Sequence, residues 1–249
     1  MAEQKTIVIG GITGGIGSAL ARRLVAAGHT VTGFSRDEEK VGKLNAQLET
    51  EAVVCDATDP EAVEATFKAL ADKHGALDAY VHAIGSIFLK PAHLTPPKDF
   101  EDTLQKNLIT AFNALRNCTK IMQKQSAGTC LFFSTAAAQV GIANHEAIAA
   151  AKGGIEAMVR SAAATYSTRG LRINAIAPSL TDTPLSKPII GSEQALEISK
   201  RMHPLGAIGE TEDVASLAEW LISDAAKFVT GQVYVMDGGI SSIVPKPKA

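Results

Sequence analysis

The sequence has no excess of positive charge: 24 Lys and Arg residues stand against 26 Asp and Glu residues, which gives a formal net charge of −2 at pH 7. This balance argues against the basic surfaces with which proteins bind nucleic acids or anionic membranes. Nowhere do about 18 uncharged apolar residues follow one another, so neither a membrane span nor a signal peptide is predicted. We therefore expect a cytoplasmic protein without a nucleic-acid or membrane partner.

Cysteine is scarce, and its spacing carries no motif. Cys55, Cys118 and Cys130 are three in number, with neither a C-x-x-C spacing nor a nearby histidine pattern. A disulfide framework and a metal site are therefore not predicted. We expect three reduced thiols packed in the core.

The order of apolar segments predicts the fold. Short, β-branched runs alternate with segments of helical periodicity, as in a parallel sheet with crossover helices. We predict one domain over residues 1–249, an α/β fold with a doubly wound, Rossmann-type parallel sheet of about seven strands and helices on both faces. The predicted strands are residues 6–10, 30–35, 52–55, 79–82, 129–134, 172–176 and 233–236.

Capping residues and prolines divide the segments between these strands. A helix is predicted over residues 16–27, ending at Gly28, and another over 60–73, with Asp59 as its cap. Proline-containing loops are predicted over 90–98 and 180–192. Both follow strands at the carboxyl edge of the sheet, where ligands of such folds bind.

A glycine cluster lies between the first strand and the first helix, in the sequence GGITGGIG of residues 10–17. Glycines permit a tight turn and let a pyrophosphate approach the backbone at the helix N-terminus. The spacing Gly11-x-x-x-Gly15-x-Gly17 differs from the G-x-G-x-x-G of other dinucleotide folds. An ordinary strand-to-helix turn is the alternative interpretation, but the position within a βαβ unit favours nucleotide binding.

Landmarks along nearly the whole chain resemble those of the short-chain dehydrogenases/reductases. They are the glycine turn, Asp56, residues 82–85 (HAIG), Asn107, Lys152, residues 174–178 (NAIAP), Thr183 and the ending 231–239. The resemblance implies a nicotinamide cofactor, with Asp56 on the adenine amino group, Thr183 on the carboxamide and Lys152 on the ribose hydroxyls. The cofactor-binding residues that it implies are Gly11, Thr13, Gly15, Ile16, Gly17, Ser35, Arg36, Asp56, Ala57, Ala83, Gly85, Lys152, Pro178 and Thr183.

The end of the second strand bears on the choice of nucleotide. An acidic residue there would bind a ribose 2′-hydroxyl, whereas an arginine beside a hydroxyl would pair with a 2′-phosphate. Ser35 and Arg36 occupy the positions that favour NADP(H) in family members. Asp37 points the other way, toward NAD(H), unless it caps the helix that begins at Glu38. We expect NADP(H), with NAD(H) the less favoured alternative.

The catalytic pattern has a gap. In the family, a Tyr four residues before a Lys donates a proton, assisted by a Ser thirteen residues before the Tyr and by an Asn. Asn107 and Lys152 are present, and Thr135 takes the Ser position, but Ile148 occupies the Tyr position. An isoleucine can donate no proton, so the ordinary carbonyl-reducing mechanism cannot operate unchanged.

His145 is the candidate substitute for the missing tyrosine. It lies seven residues before Lys152, a spacing that resembles the Tyr-to-Lys spacing of the enoyl-acyl-carrier-protein reductases, and imidazole suits a general acid near neutral pH. Glu146 could orient His145 or act itself. The alternative is that both residues only cap and solvate the following helix. Another departure is Ser179, which stands where the family usually has Gly and could narrow the nicotinamide pocket.

Two functions are compatible with this pattern. The first is an NADP(H)-dependent oxidoreductase that transfers hydride to a small organic substrate, a ketone or an enoyl-type double bond, with Asn107, Thr135, His145 and Lys152 as catalytic residues. The second is a catalytically degenerate nucleotide-binding protein that serves as a redox sensor or scaffold. Helices predicted around residues 100–123 and 147–168 resemble those that pair family subunits, so a homodimer or homotetramer is expected.

Overall fold

The computed structural model describes residues 4–246. Seven parallel strands form one sheet in the order β3-β2-β1-β4-β5-β6-β7, which confirms the predicted doubly wound α/β fold. The order reverses between β1 and β4, the point at which such sheets bind ligands. The strands are β1 (Thr6–Gly10), β2 (Thr30–Ser35), β3 (Val53–Val54), β4 (Ala79–His82), β5 (Gly128–Phe133), β6 (Leu171–Pro178) and β7 (Val233–Met236).

Helices cover both faces of the sheet, as predicted. One apolar core contains Phe67 and Ile155, and the other contains Leu20, Leu44 and Leu221. None of the helices within residues 4–246 is both long and apolar enough to cross a membrane. The helices are α1 (Gly15–Ala26), α2 (Glu38–Leu48), α3 (Pro60–His74), α4 (Pro97–Leu104), α5 (Thr110–Gln125), α6 (Glu146–Tyr166), α7 (Glu193–Met202) and α8 (Thr211–Ile222).

Several predicted boundaries differ from the structure. The third strand is two residues long instead of four, because only Val53 and Val54 pair with β2 at this edge of the sheet. The sixth strand is longer and runs to Pro178, since it is paired on both sides. The predicted loop 90–98 was wrong at its end, because Pro97 occupies the first turn of α4, where a missing N–H costs nothing.

The helix predicted around residues 100–123 is interrupted. A π-helical turn over Gln105–Ile109 joins α4 to α5 and contains Asn107. Such turns insert an extra residue into a helix and commonly occur at functional sites. Apolar periodicity cannot show one extra residue, so this turn was not predictable from the sequence.

The three cysteines are free and buried, as predicted. Cys118 on α5 and Cys130 on β5 lie with their sulfur atoms 3.3 Å apart. Burial raises the pKa of both the Cys55 and the Cys118 thiols, which keeps these two groups in the unreactive protonated form.

Candidate active site

The glycine turn at the start of α1 is shaped by close backbone contacts. Gly11 has a φ of +78°, and a Cβ atom there would lie 2.7 Å from the carbonyl oxygen of Ala83. A Cβ at Gly17 would lie 2.3 Å from the carbonyl oxygen of Gly11. Only glycine fits at either position, so the turn can bring the chain tightly from β1 into α1.

The N-terminus of α1 is suited to an anion. Within residues 4–246, no side chain caps the helix at Gly14, and its first turn contains no acidic residue. The first backbone N–H groups of the helix therefore remain available to a phosphate, and the helix dipole favours a negative charge there. These features fit the diphosphate of a dinucleotide.

Residues from distant parts of the chain meet beside this turn. A Cβ atom at Gly15 would lie 3.0 Å from the Thr183 side chain, and one at Gly85 would lie 2.9 Å from Asn107 Oδ1 and 3.3 Å from Lys152 Nζ. The fold therefore brings the predicted phosphate turn and the predicted nicotinamide and catalytic residues to one place.

The end of β2 resolves the ambiguity that Asp37 posed. Its carboxylate accepts a hydrogen bond from the backbone N–H of Lys40 at 3.1 Å and pairs with the Lys40 ammonium group at 2.9 Å, so Asp37 is the N-cap of α2. Arg36 is exposed beside it. The hydroxyls of Thr13 and Ser35 lie 2.7 Å apart. This edge of the site presents a cation and two hydroxyl groups.

Asp56 lies at the same carboxyl edge of the sheet as Ser35 and Arg36, in the turn after β3. Its Oδ1 accepts hydrogen bonds from the backbone N–H and the hydroxyl of Thr58 at 2.9 and 2.8 Å. These bonds, with a smaller contribution from Arg36, hold the pKa of Asp56 below its ordinary value of 3.8. The Asp56 carboxylate is therefore an ionised hydrogen-bond acceptor. The next residue, Ala57, is buried.

Lys152 lies inside the protein with its cationic group near the site. Its ammonium group donates a hydrogen bond to the carbonyl oxygen of Phe133 at 2.9 Å. Burial disfavours the charged form and lowers its pKa from 10.5 to about 8. Because this pKa remains above neutrality, Lys152 is mostly a cation at pH 7.

The π-helical turn fixes Asn107. Its Nδ2 donates to the carbonyl oxygen of Thr103 and to the hydroxyl of Ser86, both at 2.9 Å, while its Oδ1 accepts the backbone N–H of Ser86 at 3.1 Å. These three bonds lock the loop after β4 against α4. Asn107 is thereby held beside Lys152, with Gly85 between them.

A cavity of about 300 Å³ lies at the carboxyl ends of the strands. Most of its wall consists of aliphatic side chains such as Ile87, Leu89 and Ile189. The structure thus brings together nine of the predicted cofactor-binding and catalytic residues: Ile16, Ala83, Gly85, Pro178 and Thr183 of the cofactor set, and Asn107, Thr135, His145 and Lys152 of the catalytic set.

The side chain at the tyrosine position faces this cavity. Ile148 is buried, lines the cavity and lies one helical turn before Lys152 on α6. Thr135 also lines the cavity, with its hydroxyl accepting the backbone N–H of Ala137 at 3.4 Å. The wall therefore has an apolar surface where a proton donor was expected, with one hydroxyl group nearby.

His145 occupies the position before the first residue of α6 and lines the cavity. Its Nδ1 lies 2.8 Å from the carbonyl oxygen of Ala143. A carbonyl can only accept, so Nδ1 carries a proton and Nε2 is the remaining ring nitrogen. His145 does not cap the helix with its side chain, while Glu146 is exposed.

His82, at the end of β4, is held by two hydrogen bonds within the core. The Tyr80 hydroxyl lies 2.7 Å from Nδ1, and Nε2 lies 3.3 Å from the Thr110 hydroxyl. Burial, together with the charge of Lys152, lowers the pKa of His82 to about 3. The ring is therefore neutral at physiological pH.

A hydrogen-bonded pair that the sequence did not reveal lines the cavity as well. The Ser179 hydroxyl lies 2.8 Å from Nε2 of His203, and Nδ1 of His203 lies 2.7 Å from the carbonyl oxygen of Ser199. Ser179 was recognised only as a departure from the family's Gly. His203 carried no signal, because it lies 24 residues away, beyond α7, in no motif.

No cluster of three or more His, Cys, Asp or Glu side chains in residues 4–246 could hold a metal ion.

Comparison with known proteins agrees with this geometry. A family model described as Enoyl-(Acyl carrier protein) reductase matches residues 11–241. The 3beta-hydroxysteroid dehydrogenase 1 of Eggerthella lenta is 30% identical over 244 residues, which cover 95% of this chain and 94% of that protein. This chain belongs to the short-chain dehydrogenase/reductase family.

Solved structures show the same relationship. A short-chain type dehydrogenase/reductase from Mycobacterium ulcerans superposes with a TM-score of 0.92 at 29% identity, over 97% of this chain and 91% of that one. ElxO with NADP bound superposes with a TM-score of 0.90 at 27% identity, over 97% of this chain and 100% of that one. Our protein is therefore an oxidoreductase of this family, whose members act by hydride transfer.

Proposed function

We propose that this oxidoreductase uses NADP(H) to reduce a small organic substrate, a ketone or an enoyl-type double bond, with a proton donor other than residue 148. The observation that carries the proposal is the cavity in which Asn107, Thr135, Lys152 and Thr183 meet beside the glycine turn. When bound, the cofactor supplies the hydride. The roles below belong to side chains of this chain.

Preference for NADP(H) rests on the end of β2. Arg36 is exposed, and its guanidinium can pair with a 2′-phosphate, with the Ser35 hydroxyl as a further donor. Asp37 is engaged by Lys40, which makes its carboxylate less available to a 2′-hydroxyl. The relative ElxO is seen with NADP bound, which supports the same choice.

The cofactor roles proposed for the remaining residues follow the geometry. Gly11, Gly15, Ile16 and Gly17 would cradle the diphosphate at the start of α1, with Thr13 at the adenosine side. Further along the site, Asp56 and Ala57 would contact the adenine, Ala83 and Gly85 the ribose region, and Pro178 and Thr183 the nicotinamide.

The substrate is expected to be apolar apart from the group that is reduced, because aliphatic side chains make up most of the cavity wall. As hydride adds, negative charge develops on the substrate oxygen. The cation of Lys152 and the hydroxyl of Thr135 lie on the cavity wall and would stabilise this charge. An enoyl substrate would give an enolate that solvent can protonate, so it tolerates a weaker donor.

A ketone, in contrast, needs a positioned proton. His145 is the donor expected from the sequence, and its place on the cavity wall with Nε2 opposite the Nδ1–Ala143 bond supports that candidacy. Thr135 and a water bound by Lys152 are the other sources near the cavity.

The test is a turnover assay with NADPH on a panel of apolar ketones and enoyl thioesters, followed by loss of NADPH absorbance. Oxidation of NADPH on any member supports the proposal and identifies the substrate class. Tight binding without turnover across the panel would contradict it and favour the nucleotide-binding sensor or scaffold instead.

We also propose that the protein acts in the cytoplasm as a homodimer or homotetramer. Phe112 on α5 and Phe228 after α8 are exposed, and burying such side chains between subunits would stabilise an assembly. The molar mass from light scattering tests this: a monomer at micromolar concentration would contradict it.

A further inference from the structure

The pair formed by Ser179 and His203 is built like a proton carrier. The carbonyl oxygen of Ser199 can only accept, so Nδ1 of His203 carries a hydrogen and Nε2 of the neutral ring has a lone pair. The Ser179 hydroxyl, 2.8 Å from Nε2, then donates to it. A serine whose proton points at an anchored imidazole is the arrangement that activates hydroxyl groups for proton exchange.

Rigid backbone holds both members in place. Ser179 follows β6 directly, and its backbone N–H donates to the carbonyl oxygen of Met236 at 3.0 Å while its carbonyl accepts the Thr181 hydroxyl at 3.1 Å. His203 is only 4% exposed, yet it lines the same cavity as Ser179. The hydroxyl is thus presented from a fixed position, which proton transfer requires.

A carboxylate lies near His203. Asp237 lies in the turn after β7, and its carboxylate accepts the backbone N–H groups of Gly239 and Ser241 at 2.8 Å. Burial raises the pKa of Asp237, but the bonds from Ser241 and Gly239 and the neighbouring His203 hold it below its ordinary value of 3.8. Asp237 is therefore a fixed negative charge close to the Ser179–His203 pair.

The pair also accounts for two departures from the family pattern together. Where relatives have a tyrosine hydroxyl, Ile148 has none, and where they have a glycine, Ser179 adds one. Both residues line a single cavity. The hydroxyl lost from one wall is thus accompanied by a hydroxyl gained on another.

We propose that Ser179, backed by His203, is the proton donor for carbonyl reduction in this enzyme, so that its substrate is a ketone and its product a secondary alcohol. The inference rests on the proposed function for the hydride. As the hydride adds to the carbonyl carbon, the Ser179 O–H bond breaks and the substrate O–H bond forms. This step starts from His203 protonated on both ring nitrogens, so that Nε2–H donates to the Ser179 oxygen and the Ser179 proton is free to face the substrate. The Nε2–H bond then breaks to restore the serine hydroxyl, and solvent reprotonates the ring. Alcohol oxidation follows the same path in reverse.

The test compares variants with the wild-type enzyme on the ketone that it reduces best. Ser179→Gly restores the family's residue, and His203→Gln keeps a polar side chain but cannot titrate. Each is expected to lower kcat about 100-fold or more while leaving the NADPH Kd within about twofold. Ser179→Thr keeps the hydroxyl and should retain at least about a tenth of kcat.

Two exposed residues outside the cavity provide matched controls. Ser216→Ala on α8 and His93→Gln in the short 3₁₀ turn Ala92–Leu94 remove a serine and a histidine without touching the site. Both should keep wild-type kcat. The wild-type pH profile should show one protonated group required for reduction, and His203→Gln should lose that limb.

The outcomes separate this inference from the function on which it rests. If the wild-type enzyme reduces ketones and Ser179→Gly does so equally fast, or if His145→Ala alone abolishes turnover, the donor is not Ser179 while the proposed function stands. If NADPH affinity falls in parallel with kcat, the pair is structural and the inference is wrong. If the wild-type enzyme reduces only enoyl substrates, the ketone assignment is wrong, and if it reduces nothing, both proposals fail.

Discussion

Asp37 caps helix α2 through Lys40, with its carboxylate 3.1 Å from the Lys40 backbone nitrogen and 2.9 Å from the Lys40 ammonium group. The hydrogen bond from the Lys40 side chain holds the pKa of Asp37 below its ordinary value of 3.8. An acidic residue at the end of β2 would ordinarily argue for NAD(H). Here its carboxylate is paired with Lys40, and Arg36 is the exposed cation beside it.

The first prediction concerns this discrimination. Arg36→Ala should raise the Kd of NADPH about 10- to 100-fold, because a charge-assisted pair with the 2′-phosphate is lost, and should change the Kd of NADH little. Asp37→Asn keeps a capping side chain and should leave the preference intact. Fluorescence titration measures both constants. Equal weakening of the two nucleotides by Arg36→Ala would show that this residue does not read the phosphate.

The second prediction uses the buried cation. Lys152 has a pKa of about 8, lowered by burial, so it loses its charge as the pH rises through that value. Its attraction to the cofactor should weaken over the same range, and the NADPH Kd should increase above pH 8 in the wild-type protein. Lys152→Met, which has no titrating group, should bind NADPH more weakly but without this dependence. A wild-type Kd that is flat across the range would contradict the assignment.

The lowered pKa of Lys152 also makes the free energy of unfolding depend on pH. The pKa of Lys152 is lower in the folded protein, at about 8, than its ordinary value of 10.5, so the unfolded chain binds more protons between these values. The Lys152 contribution to the free energy of unfolding should therefore increase with pH over this window. Denaturant unfolding of the wild-type protein and Lys152→Met, compared at pH 7 and at pH 10, measures it.

Much of this architecture could be predicted because it rests on local signals. The β-branched runs predicted all seven strands. Asp59 was expected to cap its helix, and capping was the alternative role of Asp37; both residues do cap. Residues such as Gly15 and Thr183 could be paired only through the family resemblance, since 168 positions separate them in the chain. The order of the family's motifs along the chain therefore predicted that part of the site.

The remainder depended on tertiary contacts without a local pattern. The π-helical turn around Asn107 adds one residue to a helix, and apolar periodicity does not detect it. His203 gains its role from the ends of α7 and β6, which the sequence does not place together. The two-residue β3 is short because it pairs only with β2, and its neighbours Ala52 and Cys55 are apolar for packing reasons.

A third prediction restores the family's residue. Ile148 lines the cavity one turn before Lys152, so the hydroxyl of Ile148→Tyr would enter the cavity close to the cation that lowers its pKa. Carbonyl reduction should accelerate about 10-fold or more if the remaining site is assembled. Ile148→Phe adds the same ring without the hydroxyl and should give no gain. Equal rates in the two variants would show that the hydroxyl does not reach the substrate.

The fourth prediction concerns stability beneath the site. Tyr80 is fully buried, and its hydroxyl lies 2.7 Å from His82. His82→Leu would leave that hydroxyl without its partner, so the free energy of unfolding should fall by about 1–3 kcal/mol. The double variant Tyr80→Phe with His82→Leu removes both partners and should lose less than the sum of the single losses. Additive losses would mean that the two side chains are not coupled.

The central claim is that the chain binds NADP(H) and transfers hydride without a tyrosine at residue 148. One calorimetric titration with NADPH, repeated with NADH, followed by addition of an apolar ketone to the NADPH complex, tests it most directly. We expect one site per chain, tighter binding of NADPH than of NADH, and consumption of the bound NADPH when the ketone is added. Tighter binding of NADH, or a saturated NADPH complex that stays unoxidised with every ketone and enoyl thioester, would contradict it.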